Sequence, residues 1–157
     1  MLRPVTLPPD VPGCLWFSSM PGRFESWPAF LDAGRRAGLR LVLCLNPLDE
    51  IAALSPRYRD AIDTGTLPFR WRHVPMRNFG LPASLDDFRD AIAESAAALR
   101  TGDAVLVHCA AGIGRTGSAG ACLLKHLGHP LPAALQAVRD AGANPESAQQ
   151  SGLVEAF

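Results

Sequence analysis

The sequence predicts an α/β fold: a three-layer α/β/α domain around a central, mostly parallel sheet, with its functional site at the C-terminal edge of the strands. Three observations carry that prediction. Strand-like and helix-like segments alternate along the chain. Leu39–Leu45 is nearly unbroken in apolar character, as a strand covered on both faces must be. The stretch Val105-Leu106-Val107-His108-Cys109-Ala110-Ala111-Gly112-Ile113-Gly114-Arg115-Thr116-Gly117 passes from strand character through a glycine-rich loop into a helix read from Ser118 to Leu127. At 157 residues the chain has the length of one domain, residues 1–157, large enough to bury a core without staples.

In order, residues 1–12 contain four prolines and read as an extended lead-in. Gly13–Phe17 reads as the first strand, and Ser18–Arg23, with Pro21-Gly22, as a turn. Trp27–Ala37 has helical spacing and stops at Gly38. Asn46-Pro47 ends the strand at Leu39–Leu45. Leu48–Leu54 and Pro56–Thr64 read as helices with a proline near each start. Asp49 and Glu50 then fall in a first turn, where acidic side chains complement the helix dipole. Phe69–Val74 alternates like a strand with one wetter face. Ser84–Leu99 carries the clearest amphipathic stripe, through Leu85, Phe88, Ile92, Ala96 and Leu99. Ser84 is placed as its N-cap and Asp87 at the third position of a capping box. The helix after the loop is apolar on most sides and is expected at the centre of the fold. Leu131–Ala141 and Ser147–Phe157 close the chain as helices.

Composition excludes several classes. Acidic and basic residues balance at fifteen each, so bulk charge offers nothing to nucleic acid or to a membrane surface. The longest apolar runs are too short to cross a bilayer, and the first residues lack a signal-peptide core. Cysteines at 14, 44, 109 and 122 form no CxxC pair or disulfide framework, which fits a reducing, cytoplasmic setting. Cys122, His126 and His129 have no metal-site spacing, and no metal or cofactor is expected.

The loop's chemistry follows from charge. A glycine-rich turn opening a helix gathers backbone N–H groups and the positive end of the helix dipole on one spot, an anion cradle. Cys109 lies at its base, where converging donors favour the thiolate. Arg115 presents a planar fork suited to two phosphoryl oxygens. Thr116 is placed to hydrogen-bond the sulfur. The sequence therefore points to phosphate transfer onto sulfur and then onto water, with Ala110, Ala111, Gly112, Ile113, Gly114 and Arg115 holding the phosphoryl group. A dinucleotide turn would also satisfy Gly112-x-Gly114-x-x-Gly117. It requires a second strand ending in an acid about twenty residues on, where this chain supplies helices, and it leaves Cys109 and Arg115 without a role. A P-loop nucleotide site would need lysine at Ser118.

His108-Cys109-x5-Arg115-Thr116 resembles the signature of the cysteine-dependent protein tyrosine phosphatase superfamily, and the small chain resembles its dual-specificity branch. Val74–Pro82 is similar to that branch's general-acid loop, and the tail from Ala141 through Gln149 and Gln150 to Phe157 is similar to the kinase-associated phosphatase group. The resemblance implies a phosphotyrosine protein phosphatase-like fold. It also implies hydrolysis of phosphotyrosine, and of phosphoserine or phosphothreonine, in proteins or small phosphomonoesters, through a cysteinyl-phosphate. At the general-acid position the family's Asp is replaced by Asn78, and an amide has no proton to give. Three accounts stay open. Asp86 or Asp87 swings in, although capping is the preferred role for both; another carboxylate such as Asp49 serves; or the chain reads phosphate with little turnover. The resemblance further implies a place for Arg23 at the cleft and for Gln149 or Gln150 on the hydrolytic water. Arg70, Arg72 and Arg77 would give a basic lip. Cys44, on a strand expected beside that of Cys109, is either a disulfide partner on oxidation or, as is more usual for such a cysteine, a small core residue.

Overall fold

The computed structural model describes all residues, Met1–Phe157. Five strands, β1 (Arg3–Val5), β2 (Cys14–Ser18), β3 (Leu39–Cys44), β4 (Arg70–His73) and β5 (Ala104–His108), form one sheet in the order β1-β2-β5-β3-β4. Only β1 runs antiparallel, against β2; β2, β5, β3 and β4 are parallel. The expected lead-in is therefore more than extended chain. Arg3–Val5 pairs with Leu15–Phe17, a pairing hidden in the sequence because three residues with a proline at their centre are too few to show alternation.

The central places of β3 and β5 follow from their residues. All of β5 is buried, as is β3 apart from Arg40. From Leu41 onward alternation sorts β3: Leu41 and Leu43 join one apolar cluster, Val42 and Cys44 the other. The larger cluster packs α4 (Leu85–Arg100), α5 (Gly114–His126), α6 (Leu131–Asp140) and α7 (Ala148–Ala156) against one face of the sheet. The smaller holds α1 (Trp27–Ala37), α2 (Leu48–Leu54) and α3 (Pro56–Thr64) on the other. α5 is buried continuously from Gly114 to Leu124, the central helix that its apolar sequence predicts. It begins at Gly114 rather than Ser118, because Arg115 and Thr116 already lie in its first turn. No helix is long and apolar enough to cross a membrane.

Ser84 Oγ accepts from the Asp87 N–H at 3.2 Å, the cap that its spacing predicts. β4 forms the sheet edge, and its charges are used there: Arg72 bonds Asp87 at 2.8 Å and Glu94 at 2.9 Å, and Arg70 lies 3.7 Å from Glu94. Charged side chains on an edge strand oppose pairing with another chain.

Beneath the catalytic-strand candidate β5 runs a buried polar relay. Trp71 Nε1 donates to Tyr58 Oη at 2.8 Å, so the Tyr58 hydroxyl donates to His108 Nε2, also at 2.8 Å. That leaves Nδ1–H of a neutral imidazole facing the Cys109 carbonyl at 3.3 Å. Complete burial pushes the His108 pKa down to about 3. The unfolded chain then takes up a proton near pH 6.5 that the folded one refuses until about pH 3. His108 thus contributes stability that is whole above pH 6.5 and lost progressively as pH falls, by at most about 1.4 kcal/mol per unit. Denaturant melts between pH 7 and 4.5 are expected to show this loss, with a shallower dependence in His108→Gln.

Candidate active site

Cys109 immediately follows β5, and its side chain belongs to the α4–α7 face. The loop after it is shaped by what happens to its carbonyls. Cys109 O faces the His108 ring. Ala110 O accepts from Met20 N at 3.2 Å and from Arg23 Nη1 at 2.9 Å. Gly112 O accepts from Arg3 Nη2, whose Nη1 bonds Gly142 O at 3.2 Å. Ile113 O accepts from Gly117 N at 2.8 Å and Asn144 N at 3.1 Å, and Gly114 O from Ser118 Oγ at 2.7 Å. The N–H groups of Ala110, Ala111, Gly112 and Ile113 have no acceptor in the protein. Gly112 is required here: its φ is +73°, and a Cβ would stand 2.5 Å from the Ser18 backbone.

The loop walls a cavity of about 360 Å³ together with Arg23, Glu50, Leu54, Asn78, Phe79, Cys109, Arg115 and Glu146. Arg115 is 2% exposed. A buried guanidinium must be paired, and Glu50 pairs it bidentately, at 2.7 and 2.8 Å, while Met76 O takes a further bond at 3.0 Å. Its Nε has no partner. The hydrogen bond from Arg115 holds the Glu50 carboxyl below the usual carboxylate range, so the pair persists through mildly acidic conditions. Thr116 Oγ1 donates to Cys109 Sγ at 3.0 Å.

Phe79 takes a left-handed φ of 60°, a conformation that costs a non-glycine residue about 1 kcal/mol or more, and it is 52% exposed at the cavity. The tail holds it there: Ser147 Oγ donates to Phe79 O at 2.9 Å and Gln150 Nε2 to Gly80 O at 3.3 Å.

Residues 34–129 match the family described as "Polymorphic toxin system, DSP-PTPase phosphatase". The chain belongs to this family of phosphatases. It is a cysteine-dependent protein phosphatase of the tyrosine and dual-specificity type. Among solved structures it is similar to the kinase associated phosphatase carrying serine at its catalytic-site cysteine: 18% identity over 100% of this chain and 93% of that one, TM-score 0.84. A glycine-to-alanine mutant form of Tk-PTP is 27% identical over 90% of this chain and 87% of that one, TM-score 0.71. The human tyrosine phosphatase-like serine/threonine/tyrosine-interacting protein is 17% identical over 99% and 93%, TM-score 0.73. Among curated proteins none matches by sequence.

Cys109, Ala110, Ala111, Ile113, Gly114, Arg115 and Asn78 all line one cavity, with Thr116 bonded to the sulfur. Arg23 lines it too. Asp86, Asp87 and Asp49 keep the helix-end roles preferred for them, and the basic lip, the glutamine on the water and the Cys44 disulfide are corrected. Asp87 is held by Arg72 and Asp86 stands beside it in the first turn of α4, so neither is at the phosphatase cleft. Asp49 lines a neighbouring cavity with Arg77, 3.8 Å away. Arg70 and Arg72 are engaged with α4 carboxylates and Arg77 faces that other cavity, so the three make no lip around Cys109. Gln150 is fully buried, its Oε1 accepting from Glu146 N and its Nε2 donating to Gly80 O; neither it nor Gln149 lines the cleft. Cys44 pairs with His108 across β3 and β5, as expected of neighbouring strands, but its thiol belongs to the α1–α3 face, opposite that of Cys109, and burial pushes it up to about 12. An unreactive core thiol results.

Sequence reasoning missed three residues. Glu50 satisfied a local capping explanation completely, which hid its partner sixty-five residues away. Arg3 lay in a segment read as lead-in. Glu146 carried no local signal. Removing the Glu50 charge tests the clamp: Glu50→Gln leaves a buried guanidinium underpaired and is expected to weaken tungstate binding and turnover about ten- to a hundred-fold, from the roughly 1.5–3 kcal/mol of a charge-assisted bond. Titration calorimetry and steady-state rates at pH 7 check it.

Proposed function

We propose that Cys109 attacks the phosphorus of a phosphate monoester, phosphotyrosine foremost and phosphoserine or phosphothreonine besides, and that the resulting cysteinyl-phosphate is then hydrolysed. One observation carries the reading: donors without acceptors belong to the loop that walls the cavity of one sulfur. Four amides of the loop beside Cys109 and the Arg115 Nε lack acceptors in the protein, and the Nε is buried, where an unpaired donor is costly unless a ligand completes it. A phosphoryl group supplies three oxygens for those donors.

In the first step a lone pair of the Cys109 thiolate forms the S–P bond as the bond from phosphorus to the ester oxygen breaks. Arg115 Nε and the amides of residues 110–115 hold the three equatorial oxygens and take up charge in the transition state. Glu50 fixes the plane of the guanidinium, so the reacting geometry is set before substrate arrives. In the second step water attacks phosphorus and the sulfur leaves with its electron pair, which the Thr116 hydroxyl stabilises.

Substrate class follows from the rim. The loop between Cys109 and Arg115 has no basic side chain, which disfavours substrates bearing several phosphates. Phe79, Leu54 and Ile113 offer apolar surface beside the phosphate position, which suits the ring of phosphotyrosine. Four free thiols suit a reducing, cytoplasmic setting, and the chain works as one domain on phosphoproteins.

Phosphate release from p-nitrophenyl phosphate is expected from the native protein and absent from Cys109→Ser, with acid quenching of the native enzyme trapping phosphate on Cys109. Retained phosphate binding without Cys109-dependent release would sink the reading. Phe79→Ala is expected to raise KM for phosphotyrosine peptides several-fold while leaving inhibition by inorganic phosphate unchanged, measured by steady-state kinetics.

A further inference from the structure

Apart from the nucleophile, the only side chains at the cleft able to give and take a proton are two carboxyl groups, Glu50 and Glu146. Glu50 is spent on Arg115 through both oxygens. The carboxylate of Glu146 has no hydrogen bond or ion pair of its own, and its residue is exposed at the mouth. The remaining charged groups facing that mouth are Arg23 from the turn after β2, Arg115 from α5 and the Cys109 sulfur.

The segment carrying Glu146 is pinned to the phosphate loop. Asn144 N donates to Ile113 O at 3.1 Å, Glu146 N donates to Gln150 Oε1 at 2.9 Å, and Ser147 caps α7 through Gln150 N at 3.1 Å. Two glycines that the cysteine–arginine spacing does not itself explain make room for it. A Cβ at Gly114 would meet Glu146 Oε1, and one at Gly117 would lie 2.5 Å from Asn144 N. Gly117 thus leaves room for the Asn144 backbone, and the Glu146 carboxylate rests against Gly114. A carboxylate beside a phosphoryl dianion is disfavoured in its ionised form, so the arriving substrate itself favours the protonated acid.

We infer, on the phosphatase reading above, that Glu146 supplies and recovers the proton that Asn78 cannot. In the first step the Glu146 carboxylic acid gives its proton to the ester oxygen as the P–O bond breaks and the S–P bond forms, releasing a neutral alcohol or phenol. In the second its carboxylate takes a proton from the attacking water as the P–O bond forms and the S–P bond breaks, regenerating the Cys109 thiolate and the Glu146 acid and leaving inorganic phosphate. Glu146 thereby belongs to the catalytic residues, on a tail outside residues 34–129 of the family match.

The test compares the native protein with Glu146→Gln, Glu146→Asp and the double variant Glu146→Gln/Asn78→Asp on p-nitrophenyl phosphate and on a phosphoserine peptide, across pH 4.5 to 8. General acids contribute about 10²–10⁴-fold, most for poor leaving groups. Glu146→Gln is expected to lose phosphoserine turnover on that scale, to lose p-nitrophenyl phosphate turnover far less, and to flatten the alkaline limb of kcat. Glu146→Asp restores part of the rate, and the double variant restores it from the other loop. Tungstate binding unchanged in Glu146→Gln shows an intact cleft. An unaltered ratio of alkyl to aryl rates and an unaltered pH profile, with Cys109-dependent turnover persisting, overturns the role of Glu146 alone; loss of tungstate binding at a constant ratio does so too, by showing a structural role. Absence of Cys109-dependent release from the native protein fails the phosphatase reading and this inference with it.

Discussion

The site depends on one constraint, that the carbonyls of Ala110, Gly112, Ile113 and Gly114 be engaged from outside the loop. A peptide plane carries its donor and acceptor on opposite sides, so an engaged carbonyl leaves its amide to the cavity. The donors that achieve this come from all over the chain: Arg3 on β1, Met20 and Arg23 after β2, Asn144 before α7, and Ser118 within α5. Such a loop owes little of its shape to its own sequence beyond small residues and one obligatory left-handed glycine. The family match covers the strand, the nucleophile and Arg115, yet four of these five donors lie outside residues 34–129. The flanks are part of the active-site scaffold.

Much of this was legible beforehand, and the reasons are physical. β3 and β5 announce themselves because a central parallel strand must be apolar on both faces. α4 shows its stripe and its Ser84 cap because helix periodicity and capping are local. The nucleophile and Arg115 are legible because cysteine, glycines and arginine at this spacing have few other uses. What was hidden is long-range. Glu50 and Arg115 meet through folding alone, and the dipole explanation for Glu50 was correct as far as it went, since it does sit in a first turn. The three arginines expected at the cleft illustrate the reverse error: Arg72 alternates properly on β4, but the edge position turns it to Asp87 and Glu94 of α4 rather than to substrate. Sheet order, which no local pattern encodes, decided both cases.

Asn78 changes in meaning once the tail is considered. The loop at 74–82 still performs the positional work of its counterpart: Met76 O braces Arg115, and Phe79 and Gly80 are tied to α7. It keeps the architecture of the cleft without its usual proton. The residues that hold this loop are the same Ser147 and Gln150 that set the backbone at Glu146, so the two sides of the mouth are mechanically one unit.

The relay from Trp71 through Tyr58 to His108 has an optical consequence. All three tryptophans of this chain belong to the α1–α3 side of the sheet: Trp27 lies inside that cluster, and Trp16 and Trp71 pack against it. Ultraviolet emission from the protein therefore reports one layer only, and the layer of α4 to α7 is dark. Trp71, two hydrogen bonds from the residue preceding Cys109 in sequence, is the tryptophan that hydrogen bonds link to the nucleophile's strand.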